Sequence, residues 1–180
     1  MALGTDYALQ DCSLARALEV VGERWSMLIV RDAFYGVRRF NDFLAHLDIP
    51  RAVLTARLHS LVAAGVLRKE QYQESPVRYG YVLTEAGQEL WLPIYVLAQW
   101  GERHASEGGP RTVFSHVACG TRLDPNGNCP SCGTAVAPAD ISMRPGSGAA
   151  DDRQRHDPVS RALARPHRLL SHVEPEAAAV

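Results

Sequence analysis

Three of the four cysteines in this 180-residue chain, at positions 119, 129 and 132, lie close together with a histidine just upstream. The segment reads His116-Val117-Ala118-Cys119-Gly120, then nine residues between Cys119 and Cys129, then Cys129-Pro130-Ser131-Cys132-Gly133. Each half holds two metal-ligand side chains three positions apart with a glycine behind the second, the pattern of the two knuckles of a zinc ribbon. Glycine lets the backbone turn there so that its amides can point at thiolate sulfur. Asp124-Pro125-Asn126-Gly127-Asn128 is a ready turn between the knuckles. One zinc ion held by Cys119, Cys129, Cys132 and His116 would form a closed tetrahedral site, structural rather than catalytic. The alternatives are reduced thiols, a redox disulfide, or a site completed by His104 in place of His116. Cys12 stands apart, just before the first helix. It reads either as a small buried apolar residue or as a redox-sensing thiol activated by a helix N-terminus.

Enzymatic use of a metal here is not expected. A zinc deaminase needs a His-x-Glu and a Pro-Cys-x-x-Cys, whereas His116 is followed by Val117 and Ala118 and the proline sits inside the cysteine pair. Neither Gly-x-Ser-x-Gly nor Gly-x-x-x-x-Gly-Lys occurs.

A second set of residues suits phosphate and base-edge contacts. Arg38, Arg39, Arg51, Arg57, Arg68, Lys69 and Arg78 are basic within a chain whose formal charge is −1. Attraction to nucleic acid must therefore come from a local patch rather than from net charge.

The elements that must position these groups follow from periodicity. Ser13 can cap a helix with Leu14, Leu18 and Val21 on one face. A second helix is expected from about 23 to 34, with Trp25, Leu28, Ile29 and Phe34 apolar and Gly36 behind it. A short third helix covers 38–44, a turn follows at 47–49, and Pro50 opens a fourth helix that Gly65 closes. On the fourth helix Leu54, Leu58 and Leu61 fall within roughly 60° of one another and face the core. Ala52, Thr55, Ala56 and His59 fall opposite, small or hydrogen-bonding groups suited to a major-groove floor, with Arg51 and Arg57 on the flanks. The pattern then switches to two strands, 66–72 and 78–83, that form a hairpin. A long helix from Thr84 to His104 carries Leu90, Ile94, Leu97 and Trp100 on its inner side, and Pro93 should kink or split it. The expected fold class is mainly α with a β-hairpin wing: a winged helix-turn-helix, followed by a small zinc-ribbon-like β module and a flexible tail.

Several stretches resemble the HxlR family of transcription regulators, relatives of the MarR group. They are 12–25, Arg38-Arg39-Phe40-Asn41-Asp42-Phe43, Val53 to Leu58, Ala64 to Leu67, and Tyr81 to Gly87. The resemblance spans 12 to about 105 and implies promoter binding by a homodimer whose first and last helices form the interface. It also places a sensing cysteine where Cys12 stands.

Three regions are expected: 1–107, for DNA binding and dimerisation; 108–145, the ribbon; and 146–180, the tail. The chain is 46% apolar and 22% charged, so it can bury a core. Neither a secretory signal nor an apolar run of the ~18 residues a membrane span needs is evident, which points to the cytoplasm. The expected function is sequence-specific binding of double-stranded DNA, with the fourth helix in the major groove and the hairpin along the backbone. Arg38, Arg39, Arg51, Thr55, Arg57, His59 and Arg78 would make the contacts, under a small-molecule or redox effector. The alternative is a protein-interaction adaptor with the winged helix as scaffold and the ribbon as docking surface.

Overall fold

The computed structural model describes residues 7–149 and 157–174. Four helices open the chain: α1 (Ser13–Val21), α2 (Ser26–Phe34), α3 (Phe40–Leu47) and α4 (Arg51–Ala63). The N-cap of α1 is Cys12 rather than Ser13, and it makes no side-chain capping bond. Asp48, left-handed at φ 50°, ends α3, and Ile49 is buried in the turn that leads to α4. Leu54, Leu58 and Leu61 of α4 are buried together, as the helical spacing predicts.

Strands β1 (Leu67–Glu74) and β2 (Val77–Leu83) form the antiparallel wing, pairing Leu67 with Leu83 at its root and Glu74 with Val77 at its tip. The register slips at Tyr72, between Gln71 and Gln73. The expected long helix is two: α5 (Glu85–Gln88) and α6 (Trp91–His104). The break falls just before Pro93, which therefore sits in the first turn of α6, where a missing N–H costs no helical hydrogen bond. Thr84 caps α5 by accepting from the Gly87 N–H at 3.1 Å.

The cysteine segment is built on a three-stranded sheet ordered β3 (Thr112–His116), β6 (Ile141–Pro145), β7 (His167–Arg168), with a short hairpin of β4 (Asn128–Cys129) and β5 (Thr134–Ala135). Helix α7 (Pro158–Leu163) precedes β7. Residues 157–174 thus differ from the flexible tail expected of 146–180. Val159, Leu163, Leu169 and Val173 are all buried, and β7 supplies the third strand of the ribbon sheet. Four apolar side chains spaced through a short stretch are enough to dock it. The rest of that expectation, residues 150–156 and 175–180, lies outside the described residues.

One core joins everything. Phe114 of β3 meets Trp91 and Tyr95 of α6 edge-on, at ring-centroid distances of 5.2 and 5.6 Å, and Trp91 meets Phe34 of α2 at 5.4 Å. Tyr95 Oη donates to the Asp124 carbonyl at 2.8 Å, and a Cβ on Gly127 would stand 3.0 Å from Leu92. The ribbon is therefore seated on α6. Inside the winged helix, the fully buried Asp32 accepts two bonds from Arg31, at 3.0 and 2.7 Å, and its other oxygen lies 2.7 Å from His46 Nδ1. Burial works to raise the Asp32 pKa. The Arg31 charge and the His46 hydrogen bond outweigh it and hold the carboxyl below its usual range.

Candidate nucleic-acid interface and metal centre

The outward face of α4 carries Ala52, Thr55, Ala56 and His59, all exposed. Thr55 Oγ1 donates back to the Arg51 carbonyl at 2.9 Å, leaving its lone pairs as acceptors. Arg51 is exposed, and its guanidinium lies 5.2 Å from the centre of the Phe40 ring. Phe40 lines a cleft between the start of α3 and the wing, together with Arg39, Tyr72, Arg78 and Tyr79. Arg39 stacks over Tyr72 at 5.0 Å. Arg39 and Arg78 thus line one cleft with Asp42, and Arg51 stands over the Phe40 ring that lines the same cleft, so three cations gather between the exposed helix face and the wing. A fixed guanidinium on an aromatic face is well placed to meet a phosphate or a base edge. Arg68 and Lys69 are exposed on β1, and Arg68 lies 3.3 Å from Glu70.

Two of the expected contact residues are engaged elsewhere. Arg57 turns inward to Glu23, Nη2 to carboxylate 2.9 Å, and its buried Nε has no hydrogen-bond partner among the described residues. Arg38 donates from Nη2 to the Leu170 carbonyl at 3.2 Å, and its Nη1 lies 3.8 Å from Glu70. Its own carbonyl accepts from the Tyr81 N–H at 2.8 Å. Helical angle alone could not reveal either, because Glu23 and Leu170 come from distant parts of the chain.

The metal-ligand cluster assembles as the spacing predicts. One ligand atom from each of His116, Cys119, Cys129 and Cys132 lies within 4.8 Å of all the others. Cys119 Sγ is 3.6 Å from His116 Nδ1, 3.4 Å from Cys129 Sγ and 3.7 Å from Cys132 Sγ, while Cys132 Sγ is 3.5 Å from His116 Nδ1. Bond lengths of about 2.3 Å to sulfur and 2.0 Å to nitrogen give tetrahedral edges of about 3.8 and 3.5 Å. The donor set therefore fits a tetrahedral cation in size as well as in chemistry. All four cysteines are unpaired, and the nearest two, Cys119 and Cys129, keep their Sγ atoms 3.4 Å apart. His104 is not in the cluster; it packs against Trp100 at 5.3 Å.

Both knuckles turn through left-handed glycines, Gly120 at φ 70° and Gly133 at φ 68°, whose N–H groups each return 2.8 Å to the carbonyls of His116 and Cys129. Asp124 pins the turn between them by accepting from the backbone N–H groups of Asn126 and Asn128. Hydrogen bonds from the side chain and backbone of Thr121 push the Cys119 thiol down to about 6. Contacts with Cys129 and Cys119, and the negative charge gathering there, push Cys132 up to about 11. A cation at the centre would relieve that repulsion. Cys129 is buried, whereas Cys119 and Cys132 are exposed. Cys12 is also exposed, outside the cluster, in contrast to its reading as a buried apolar residue.

Leu97 and Trp100, expected on the inner side of α6, face outward instead, 56% and 53% exposed, and Leu92 and Val96 are exposed too; on α1, Leu14 is 64% exposed and Leu18 is also exposed.

Residues 20–108 match the family described as HxlR-like helix-turn-helix. The HTH-type transcriptional regulator Rv3095 of Mycobacterium tuberculosis is 43% identical over 137 residues, 76% of this chain and 87% of that protein. That length cannot fit within the first 108 residues, so the likeness runs into the cysteine segment. The HTH-type transcriptional regulator YdeP of Bacillus subtilis is 32% identical over 57% of this chain and 83% of its own length. Among solved structures, the transcription factor PA1607 superposes with a TM-score of 0.57 at 35% identity, covering 72% of this chain and 92% of that one.

Proposed function

The chain belongs to the HxlR-like helix-turn-helix family and is a winged-helix transcription regulator, not an enzyme; from this premise we propose that it binds specific duplex DNA as a homodimer in the cytoplasm. Helix α4 enters the major groove with Thr55 and His59 at base edges, and the wing lies along the backbone. The observation that carries the reading is the gathering of Arg51, Arg39 and Arg78 around Phe40 and its cleft, beside the small exposed face of α4. A chain of net charge −1 gathers cations there and binds through them. Outward Leu14 and Leu18 of α1, with Val96, Leu97 and Trp100 of α6, form the face that a second copy covers. Two-fold symmetry then sets half-sites about 10 bp apart. Cys12, exposed at the start of α1, is positioned to perturb that packing when oxidised. Wild type and Cys12→Ser should then differ in diamide sensitivity, and equal sensitivity removes the residue from this role.

The Cys3His cluster holds one structural zinc ion, and its support is the match between donor spacing and tetrahedral edges.

Selection of sequences from random duplex DNA, with metal content measured on the same sample, tests both readings. Enrichment of a palindromic site with salt-dependent affinity is the expected result. No enrichment, with retention of a protein partner instead, would favour an adaptor.

A further inference from the structure

The metal cluster and the wing are joined by an unbroken series of backbone contacts. His116, a ligand, ends β3 and pairs with Ile141 of β6. The next residue, Val117, donates to the Asp140 carbonyl at 2.8 Å. On the other side of β6, Ser142 pairs with Arg168, whose guanidinium also reaches the Asp140 carboxylate at 3.1 Å, and Leu169 N–H donates to the Ile141 carbonyl at 2.9 Å. The chain then crosses to the winged helix. Leu170 N–H donates to the Phe34 carbonyl at 2.7 Å and Val173 N–H to the Gly36 carbonyl at 3.0 Å. Leu170 is left-handed at φ 63°, a conformation that a branched residue keeps only while its surroundings impose it. The crossing is also close: a Cβ on Gly36 would stand 1.7 Å from the Ser171 carbonyl oxygen. Arg38 closes the series, grasping Leu170 with its side chain and both wing strands through Tyr81 and Glu70.

We propose that loading of the Cys3His cluster regulates DNA binding through residues 168–173, which seat Arg38 and thereby set the wing against α4. The inference rests on the DNA and metal readings above. When the four ligands are drawn together, β3 and β6 keep their register at His116, β7 stays paired, and the crossing segment remains on Gly36. When no cation ties the four ligands together, His116 at the end of β3 is released, the sheet loosens and Leu170 relaxes. Arg38 then loses an acceptor, and wing and reading helix no longer present a fixed spacing to the duplex. Arg38 is on this reading a positioning residue rather than a base or phosphate contact. Linkage requires the converse: DNA must tighten zinc binding by the same factor.

The test uses the full chain, under a phosphine reductant, and a labelled duplex selected by the zinc-loaded protein. Stripping zinc with a chelator should weaken binding about tenfold, and one equivalent of zinc should restore it. Hydrogen exchange at the Tyr81 and Val173 amides should quicken over the same titration. Zinc-loaded Gly36→Ala should retain one equivalent of metal, bind DNA at the stripped level and no longer respond to chelator. If Gly36→Ala does not fold, Arg168→Ala serves, since its side chain is half exposed and outside both the ligand set and the cationic cleft; it should shrink the zinc response. Equal affinity and equal exchange with and without measured zinc would overturn the coupling while leaving both readings intact. Protein that retains no zinc would overturn the metal reading and the proposal with it. Failure to select any duplex would do the same through the DNA reading.

Discussion

Arg51 and Arg57 lie on one helix and look alike in the sequence, yet one is exposed over Phe40 and the other is bound to Glu23. A helical wheel gives direction; it does not give the reach of a partner from another element. Arg51→Ala or Arg78→Ala should lower the slope of log affinity against log salt by about 1 and leave the melting temperature in place. Arg57→Ala should do the reverse, lowering the melting temperature with the slope unchanged. A salt titration and a thermal melt on each variant decide between them. Asp32 was equally hidden in the sequence, because nothing in its spacing shows that His46 will fold back onto it. Asp32→Asn leaves the Arg31 charge without its counterion and should cost about 3–5 kcal/mol near neutral pH, by urea denaturation. The folded pKa of Asp32 lies below the unfolded one, so its stabilisation is complete above about pH 4 and is lost as pH falls through the folded value. The gap between wild type and Asp32→Asn should therefore narrow below that pH.

The order of the helices, the wing and the split at Pro93 were legible because turn chemistry and proline act locally, although α2 begins at Ser26 rather than about 23 and α3 runs Phe40–Leu47 rather than 38–44. What periodicity left open was which side of a two-sided helix meets the core. In α6 the core takes Trp91, Ile94 and Tyr95 with Leu90 packed at its margin, while Leu97 and Trp100, expected inside, are left outside; in α1 the core takes Ala15 and Val21. A helix with apolar residues on both sides needs a second surface to cover it. Trp100→Glu should convert the dimer to a folded monomer in sedimentation velocity and weaken operator binding sharply, since each half-site alone must then hold the protein. A variant that sediments as a dimer would move the interface elsewhere.

At the scale of the molecule, the ligand spacing announced the metal cluster, but its packing into the winged-helix core was not legible. Phe114, Leu123, Cys129, Ile141 and Met143 belong to the same buried cluster as Phe34 and Trp91. That continuity depends on shape across elements far apart in sequence, and the small apolar residues of 157–174 gave little hint of it. Metal removal should accordingly do more than melt a loop. The chain should unfold in one calorimetric transition when zinc-loaded, and chelation should lower that single midpoint. Two resolved transitions, with the upper one indifferent to chelator, would mean that the ribbon and the winged helix are separable units.

The crossing segment also has a temporal meaning. Val173 must reach Gly36, and Leu170 must reach Phe34, across most of the chain. Ribosomes add about 5–20 residues per second, so roughly 7–27 s separate the synthesis of Gly36 from that of its partner. During that interval the corner between α2 and α3 has emerged without its final cover. The winged helix of this protein therefore cannot finish folding as it is made, and a nascent chain stalled before residue 167 should be more readily cut by protease near Val37 than the released one.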